Sequence, residues 1–435
     1  MNHQFAIIIG GGMAGKLIAA AISPYFHRVQ ILEKDQNNVS IRPGVSQAHH
    51  IHALLHAGDQ ALETLFPGFK QDMVSRGSNL INSTQDLAWF HHGVWKMRFK
   101  GTDTTLLQTR PLLESYIQER VNGLENVHYT YDCKVLAYTY QSDKNVITGV
   151  EVLENNESKQ LKADLVIDAS GSSSLTKTWL EKQTITVPEE KVEIGLCYAT
   201  RLFKLPEEPR NFKIKIIYPE PPHQTLGGTL SIVEDNKYIV TLNGYLNSLN
   251  PADVNSEQGF IQQAANLPLP DIHQELENGT SLSETKIFKV PHIKWRRFDQ
   301  IKLPDGLLIA GDSICRIDPV FGQGMSIAAL EALAIREFLS KDGKHNNLKK
   351  LQKKLAKIVA PVWSMVLCED FRYPGVKGKK PFGLNFQQWY VKRIFRLSAS
   401  NQRIYQDFIK VMNLTGSAVI LFKLSTLKEV FKIKL

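Results

Sequence analysis

A short glycine turn near the amino terminus constrains this chain more than any other feature. An apolar run at residues 5–9 ends in Gly10-Gly11-Gly12-Met13-Ala14-Gly15. A small-residue helical pattern follows, and a second apolar run at 29–32 closes on Glu33. Strand, glycine turn, helix, strand and acid in that order predict a dinucleotide-binding βαβ unit. Gly10 makes the tight turn, Gly12 lets the backbone approach a pyrophosphate, and Gly15 lets the helix pack close to the strand. Free N–H groups and the positive dipole end of the helix then face the phosphates. Glu33 follows the third glycine by 18 residues (33 − 15), where a carboxylate accepts from ribose hydroxyls.

At 435 residues the chain exceeds one simple core, so two interleaved domains are expected. No apolar run reaches the roughly 18 residues that a membrane-spanning helix needs. The first strand begins at residue 5, which leaves no room for a signal peptide. Cys133, Cys197, Cys315 and Cys368 lie far apart and form no CxxC, so reduced thiols in a cytoplasmic protein are expected rather than a disulfide frame or zinc site. The net charge of +9 is unevenly spread. After Ser340 there are 20 Lys and Arg against 5 Asp and Glu, a balance of +15, so the first 340 residues carry 9 − 15 = −6. Solvated faces of a basic helical region explain this balance. Attraction to anionic lipid at the inner face of a membrane, or to an acidic carrier protein, explains it as well. Nucleic acid is not expected, because no binding module accompanies the charge.

There are no internal repeats. Helical spacing is expected at 52–66 and again at 109–122, with Thr109 as cap and Pro111 in the first turn. Strands are expected at 127–131, 133–140, 146–153 and 163–169. A further group at 195–205, 212–218, 229–233 and 238–245 reads as an inserted antiparallel sheet, with Asp235-Asn236 as a turn. A buried strand at 306–310 returns to the parallel core, and the chain after 340 reads as mostly helical. The expected class is therefore α/β: a Rossmann-like cofactor domain at 1–75, 101–184 and 296–345, a substrate domain at 76–100 and 185–295, and a C-terminal helical region at 346–435.

Three more sites bear on one pocket. The strand ending at Asp168 leads into a DxxG turn at Gly171. The strand at 307–310 ends in Gly311-Asp312, where a carboxylate suits a polyol hydroxyl. Asp318-Pro319-Val320-Phe321-Gly322-Gln323-Gly324-Met325-Ser326 then opens a helix rich in Ala and Leu. With the first glycine motif, this order resembles the FAD-dependent aromatic-hydroxylase superfamily of single-component flavoprotein monooxygenases. Residues 42–55, from Arg42-Pro43-Gly44 through Gln47, His49, His50 and His52, are similar to the R-x-GVPQxRHxHxL segment of one bacterial branch. Residues 192–203, VEIGLCYATRLF, and residues 369–374, EDFRYP, are similar to it too. That branch holds olefin epoxidases of polyether antibiotic pathways, of the lasalocid and monensin type. Ser46 stands where the branch has Pro, and His49 where it has Arg.

The resemblance implies the glutathione-reductase/hydroxylase type of FAD domain. It places Asp312 on the ribityl chain and Pro319, Gly322 and Gly324 against the isoalloxazine. Arg42 and Arg110 are candidates for FAD phosphate or ribose contacts, with surface ion pairs as the alternative. Met13, Ala14, Lys34, Gln47, His50, Val135, Asp168, Gly171, Gly311 and Met325 complete the candidate cofactor set. The implied reaction takes hydride from NAD(P)H, a transient co-substrate, and passes through a flavin C4a-hydroperoxide to a hydrophobic polyene, polyketide or terpenoid. Epoxidation is favoured over hydroxylation, and such chemistry needs no catalytic side-chain nucleophile. The substrate arrives free or carrier-bound, and a separate flavin reductase is a candidate partner. No metal site is expected at His49, His50 and His52, which lack carboxylate or cysteine partners at ligand spacing. Trp89, Phe90, Trp95, Phe99, Phe203, Tyr218 and Tyr245 are candidates for a pocket lining, though core packing accounts for most of them. The alternatives are a flavin-dependent reductase of prenyl double bonds, whose YxWxFP segment is absent, and a halogenase, whose WxWxIP segment is absent. A non-catalytic FAD-binding redox sensor or scaffold is the third.

Overall fold

The computed structural model describes residues 3–36, 49–51, 54–342 and 347–433. Arg42 and Gln47 therefore lie outside the described residues, as do Ser46 and His52. Five parallel strands form one sheet in the order Leu307–Ile309, Leu165–Asp168, His3–Ile9, Phe26–Leu32, Val127–Thr130. The central strand is apolar on both faces because both are covered, and Ala6, Ile7 and Ile8 are fully buried. Helix Met13–Ile22 packs against the long helix Gly324–Asp342. A meander of Cys133–Gln141, Val146–Glu154 and Glu157–Lys162 adds Val150 and Val152 to the same core. The last of its strands was not expected from sequence. It follows a hairpin turn in which Asn155 and Asn156 both take positive φ.

The insertion forms a larger sheet. Its order is Cys315–Arg316, Lys286–Arg296, Glu189–Lys204, Tyr238–Gly244, Leu226–Ile232, Ile214–Ile217, Leu87–His91, Val94–Trp95. The strand expected at 195–205 starts earlier, at Glu189, because Gly195 (φ 56°) absorbs a bulge that lets pairing continue on both sides. Its partner Lys286–Arg296 was hidden by Pro291, which sits at that same irregularity, where no ladder hydrogen bond is lost. Asp235 and Asn236 take positive φ in the tight turn expected of them.

Alternation along these strands gives the sheet two distinct faces. Ala199, Phe203, Leu230, Val240 and Leu242 form a second core with Phe260, Ile272 and Leu276. The last three come from helices Glu257–Ala264 and Asp271–Glu277. Tyr198, Thr241, Asn243, Phe288 and Ile216 face the other way, toward the parallel-sheet half, and line the cavity between the sheets. Tyr198 pairs directly with Asn243 on one side and Phe288 on the other, so these three form one row.

After the long helix come Leu348–Asp370, Leu384–Leu397, Gln402–Met412 and Leu424–Lys432, helical as expected. Gln352 on the first of these accepts from Ile309 N and donates to Ile309 O, both at 3.1 Å. That side chain closes the open edge of the parallel sheet as a further strand would. No described helix is long and apolar enough to cross a membrane.

Candidate functional site

A cavity of about 690 Å³ lies between the two sheets, at the carboxyl ends of the parallel strands. Ligands collect at this end of an α/β sheet because helix N-termini and glycine turns converge there. Gly10, Gly12, Met13, Ala14, Glu33, Lys34, His50, Arg110, Val135 and Gly171 line it. So do Gly311, Asp312, Pro319, Gly322, Gly324 and Met325. Residues separated by three hundred positions in sequence thus meet at one site.

Two candidates stand back from it. Gly15 packs the helix onto the turn as expected: a β-carbon there would lie 1.9 Å from the Gly10 carbonyl oxygen. Asp168 was expected to touch cofactor, but the structure places it behind the wall. Its carboxylate is fully buried and accepts from Ser170 N at 3.0 Å, Ser170 Oγ at 2.6 Å and Ser313 Oγ at 3.1 Å, and also from the Ser174 and Thr176 hydroxyls. Ser313 Oγ in turn accepts from Gly171 N at 2.9 Å. Asp168 therefore ties the DxxG turn to the Gly-Asp turn.

Each cofactor-facing turn is pinned in this way by a buried carboxyl. Glu33 accepts from Gly11 N at 2.8 Å and from Asp35 N at 3.1 Å, so its oxygens serve the glycine turn as well as facing the cavity. Asp318 accepts from Val320 N at 2.8 Å and from Tyr245 OH at 2.7 Å. Glu331 accepts from Gly311 N at 2.6 Å. Burial, with Asp312's charge adding to it, pushes the Glu331 carboxyl up to about 8. Sequence reasoning missed Glu331, although a single acid within the apolar run 327–335 was the available signal.

The residues fit a dinucleotide. Gly12, Gly171 and Gly324 would each project a β-carbon into open space, with no atom within 4 Å. Neither Gly12 nor Gly324 takes a left-handed φ, so backbone geometry does not demand glycine at either place. Close approach of a ligand would. Among the described residues the Asp312 side chain accepts no hydrogen bond, and burial raises its pKa. It is a ready acceptor for polyol hydroxyls. Arg110 is buried and lines the cavity, and its pairing with Glu114 at 2.8 Å is largely buried rather than a surface ion pair.

The half of the cavity formed by the inserted sheet is mixed in character. Ile216, Tyr218 and Phe288 give an apolar surface. Tyr198 OH, Asn243 Nδ2 and His50 Nε2 are buried and have no partner among the described residues. Burial, then the charge of His49, lowers the His50 pKa to about 4, so its ring is neutral near pH 7. His50 Nδ1 and Thr200 Oγ1 are 2.7 Å apart, as are Thr200 Oγ1 and Thr241 Oγ1. If Thr241 donates to Thr200 and Thr200 to Nδ1, every hydroxyl has an acceptor, and Nε2 carries the proton that faces the cavity. Of the aromatic candidates only Tyr218 lines the cavity. Trp89, Phe90 and Phe203 are core, and Tyr245 supports Asp318.

Behind Tyr218 lies a polar cluster that the sequence did not announce. His91 stacks on Tyr218 with ring centroids 4.4 Å apart and on His92 at 4.2 Å. Glu369 Oε2 lies 3.1 Å from His92 Nε2 and 3.6 Å from His91 Nε2. Two histidines and a glutamate could hold a metal ion, but Arg372 Nε already donates to the same oxygen at 2.9 Å. Burial opposes the Glu369 charge, yet His92 and Arg372 hold its carboxyl well below the usual range. Next to it burial, with the charge of Asp318 adding to it, pushes the Asp370 carboxyl well above the usual range.

A family model described as FAD binding domain matches residues 4–342. Protein Rv3254 of Mycobacterium tuberculosis is 27% identical, with 88% of this chain and 85% of that protein covered. A solved triple mutant of the flavin-dependent brominase Bmp2 superposes with a TM-score of 0.70 at 14% identity, covering 98% of this chain and 99% of that one. The p-nitrophenol 4-monooxygenase PnpA of Pseudomonas putida DLL-E4 superposes with a TM-score of 0.69 at 14% identity, covering 95% and 99%.

Proposed function

Because this chain belongs to the FAD binding domain family, we propose that it is an FAD-dependent monooxygenase. It uses NAD(P)H and O₂ to oxygenate a largely hydrophobic polyene, polyketide or terpenoid, with alkene epoxidation as the favoured reaction. The observation that carries this reading is the single two-sided cavity. Glycine turns built for a dinucleotide form one wall, and a shaped surface from the inserted sheet forms the other. FAD, when bound, accepts hydride and activates dioxygen for transfer of one oxygen atom.

The chain's own tasks are binding, orientation and exclusion of water. Gly10, Gly12 and the N-terminus of helix Met13–Ile22 would take the pyrophosphate. Glu33 and Asp312 would accept from sugar and polyol hydroxyls, and residues of the turn Pro319–Gly324 would hold the ring system. On the substrate side Ile216, Tyr218 and Phe288 suit an apolar body. Asn243 Nδ2, Tyr198 OH and His50 Nε2 suit an oxygen function on that body. Left without an acceptor, each costs about 1–3 kcal/mol. A substrate with an alkene body and a polar oxygen satisfies both surfaces. That is the chemistry of the polyether-pathway substrates to which the sequence resemblance points. NAD(P)H binds transiently, since the chain has one dinucleotide fingerprint, and a separate flavin reductase is the alternative source of hydride.

Turnover of a polyene panel with NAD(P)H under isotopically heavy dioxygen tests the reading. The expected product gains a single heavy oxygen atom. A product that gains two hydrogens and no oxygen would replace the monooxygenase with a reductase. An unlabelled product that appears only with added bromide would replace it with a halogenase.

A further inference from the structure

The C-terminal region presents a surface that the flavin site does not use. The four exposed phenylalanines of the described chain are Phe382, Phe386, Phe422 and Phe431, all within this region, together with exposed Val419 and Leu424. Phe386, Phe422 and Phe431 join Trp389 and Tyr390 in one aromatic patch, and Phe382, Val419 and Leu424 lie within four residues of its members in sequence. Phe386 lies 5.6 Å from Trp389 and 6.2 Å from Tyr390, Trp389 lies 5.3 Å from Phe431, and Tyr390 lies 4.7 Å from Phe422, measured between ring centroids. Phe382 stands at the tip of the turn before helix Leu384–Leu397, with 102% of its reference area in solvent. A soluble monomer gains nothing by holding a ring in that position.

The charge around the patch has one sign. Residues 371–433 carry 12 Lys and Arg against 2 acids. Both acids are engaged: Asp407 by Lys423 at 2.9 Å and Glu429 by Lys432 at 4.0 Å. Lys379 and Lys380 immediately precede the exposed tip, and Arg393 covers the Trp389 ring at 4.1 Å. Aromatic and aliphatic side chains that protrude from a lysine-rich rim match the boundary between lipid headgroups and acyl chains. A protein partner would more often be met by a concave groove, whereas the Phe382 ring stands fully in solvent.

We propose that this surface docks the protein peripherally on an anionic bilayer, with Phe382 and Leu424 inserted and the lysines on the headgroups. The proposal does not depend on the flavin reading. An apolar substrate dissolved in that bilayer would then be close to the enzyme.

Co-sedimentation of the full chain with phosphatidylcholine vesicles, with and without phosphatidylglycerol, tests it. Binding to the anionic vesicles is expected to be at least about tenfold stronger, and to weaken with salt. Phe382→Ser combined with Leu424→Ser is expected to lower it about tenfold or more, with unchanged circular dichroism and flavin content. If the double variant is unstable, Phe382→Ser alone makes the test, since that ring touches solvent only. No binding by the unaltered chain, or equal binding by the variants, overturns the proposal. Self-association, or capture by an acidic carrier protein, that is lost in Phe382→Ser while vesicles are ignored assigns the patch to that partner instead and also overturns it.

Discussion

Two glycines of one motif, three residues apart, should respond to the same added methyl in opposite ways. At Gly12 a β-carbon would meet nothing within 4 Å, and the backbone (φ −71°, ψ −173°) is open to alanine. Alanine there gains about 0.4–1 kcal/mol by restricting the unfolded chain. It loses about 1 kcal/mol as a poorer helix cap, so the fold should be nearly unchanged. The methyl does occupy space through which a pyrophosphate must approach. Overpacking of about 1–3 kcal/mol translates to roughly a 5- to 150-fold loss in FAD affinity. At Gly15 the added atom would sit 1.9 Å from the Gly10 carbonyl oxygen, which belongs to the backbone and cannot swing aside. The helix must shift, at a cost of about 3 kcal/mol or more, offset by about 1 kcal/mol of helix propensity. Denaturant midpoints without cofactor, together with FAD titration by quenching of flavin fluorescence, separate the two effects. Gly12→Ala should keep its midpoint and lose affinity, and Gly15→Ala should lose its midpoint. If Gly12→Ala binds FAD as tightly as the unaltered protein, the assignment of that open space to the pyrophosphate is refuted.

Glu331 gives a pH signature. Its folded value, about 8, stands above its ordinary 4.5, so the folded chain holds a proton that the unfolded chain releases. The stabilisation is complete below 4.5, falls by about 1.4 kcal/mol per pH unit as pH rises toward 8, and is gone above it. Chemical denaturation of the cofactor-free protein across that window should show the slope, and Glu331→Gln should flatten it while keeping an acceptor for Gly311 N. Glu369→Gln leaves the largely buried Arg372 guanidinium without its counter-charge, and should cost about 3 kcal/mol by the same denaturation assay. Adding Arg372→Met to that variant should restore much of the loss, and no recovery would mean that Glu369 serves mainly His91 and His92.

The parallel half of the fold and its four glycine-rich or Gly-Asp turns were legible because they rest on local signals. An apolar run must end where a glycine permits a turn, and the acid after the second strand has one place to go. What escaped depended on distant pairing. The strand Lys286–Arg296 carries a proline that argues against a strand, until the bulge at Gly195 opposite it is known. Gln352, which seals the edge strand, is one polar residue in a basic helix and shows no meaning until that helix docks. Asp168 shows the limit of motif reading. Its position in DxxG marks the right turn, but the chain uses its carboxylate to hold two turns together rather than to meet a ligand. The polar row Tyr198–Asn243 was equally hidden, because it arises only when two strands 45 residues apart (243 − 198) come into register. The basic tail was visible as charge. That its exposed aromatics gather into one patch was not, since Trp389 and Phe431 meet only through the packing of two helices.

The central claim is that the cavity between the sheets is an FAD site. Titration of the cofactor-free protein with FAD and, in parallel, with FMN tests it most directly, by flavin fluorescence with release and identification of the bound species. The account predicts saturation at one FAD per chain, with FMN far weaker because it cannot use the turn at Gly10–Gly15 or the acid at Glu33. Equal binding of both flavins, or no binding of either by a folded chain, would contradict it.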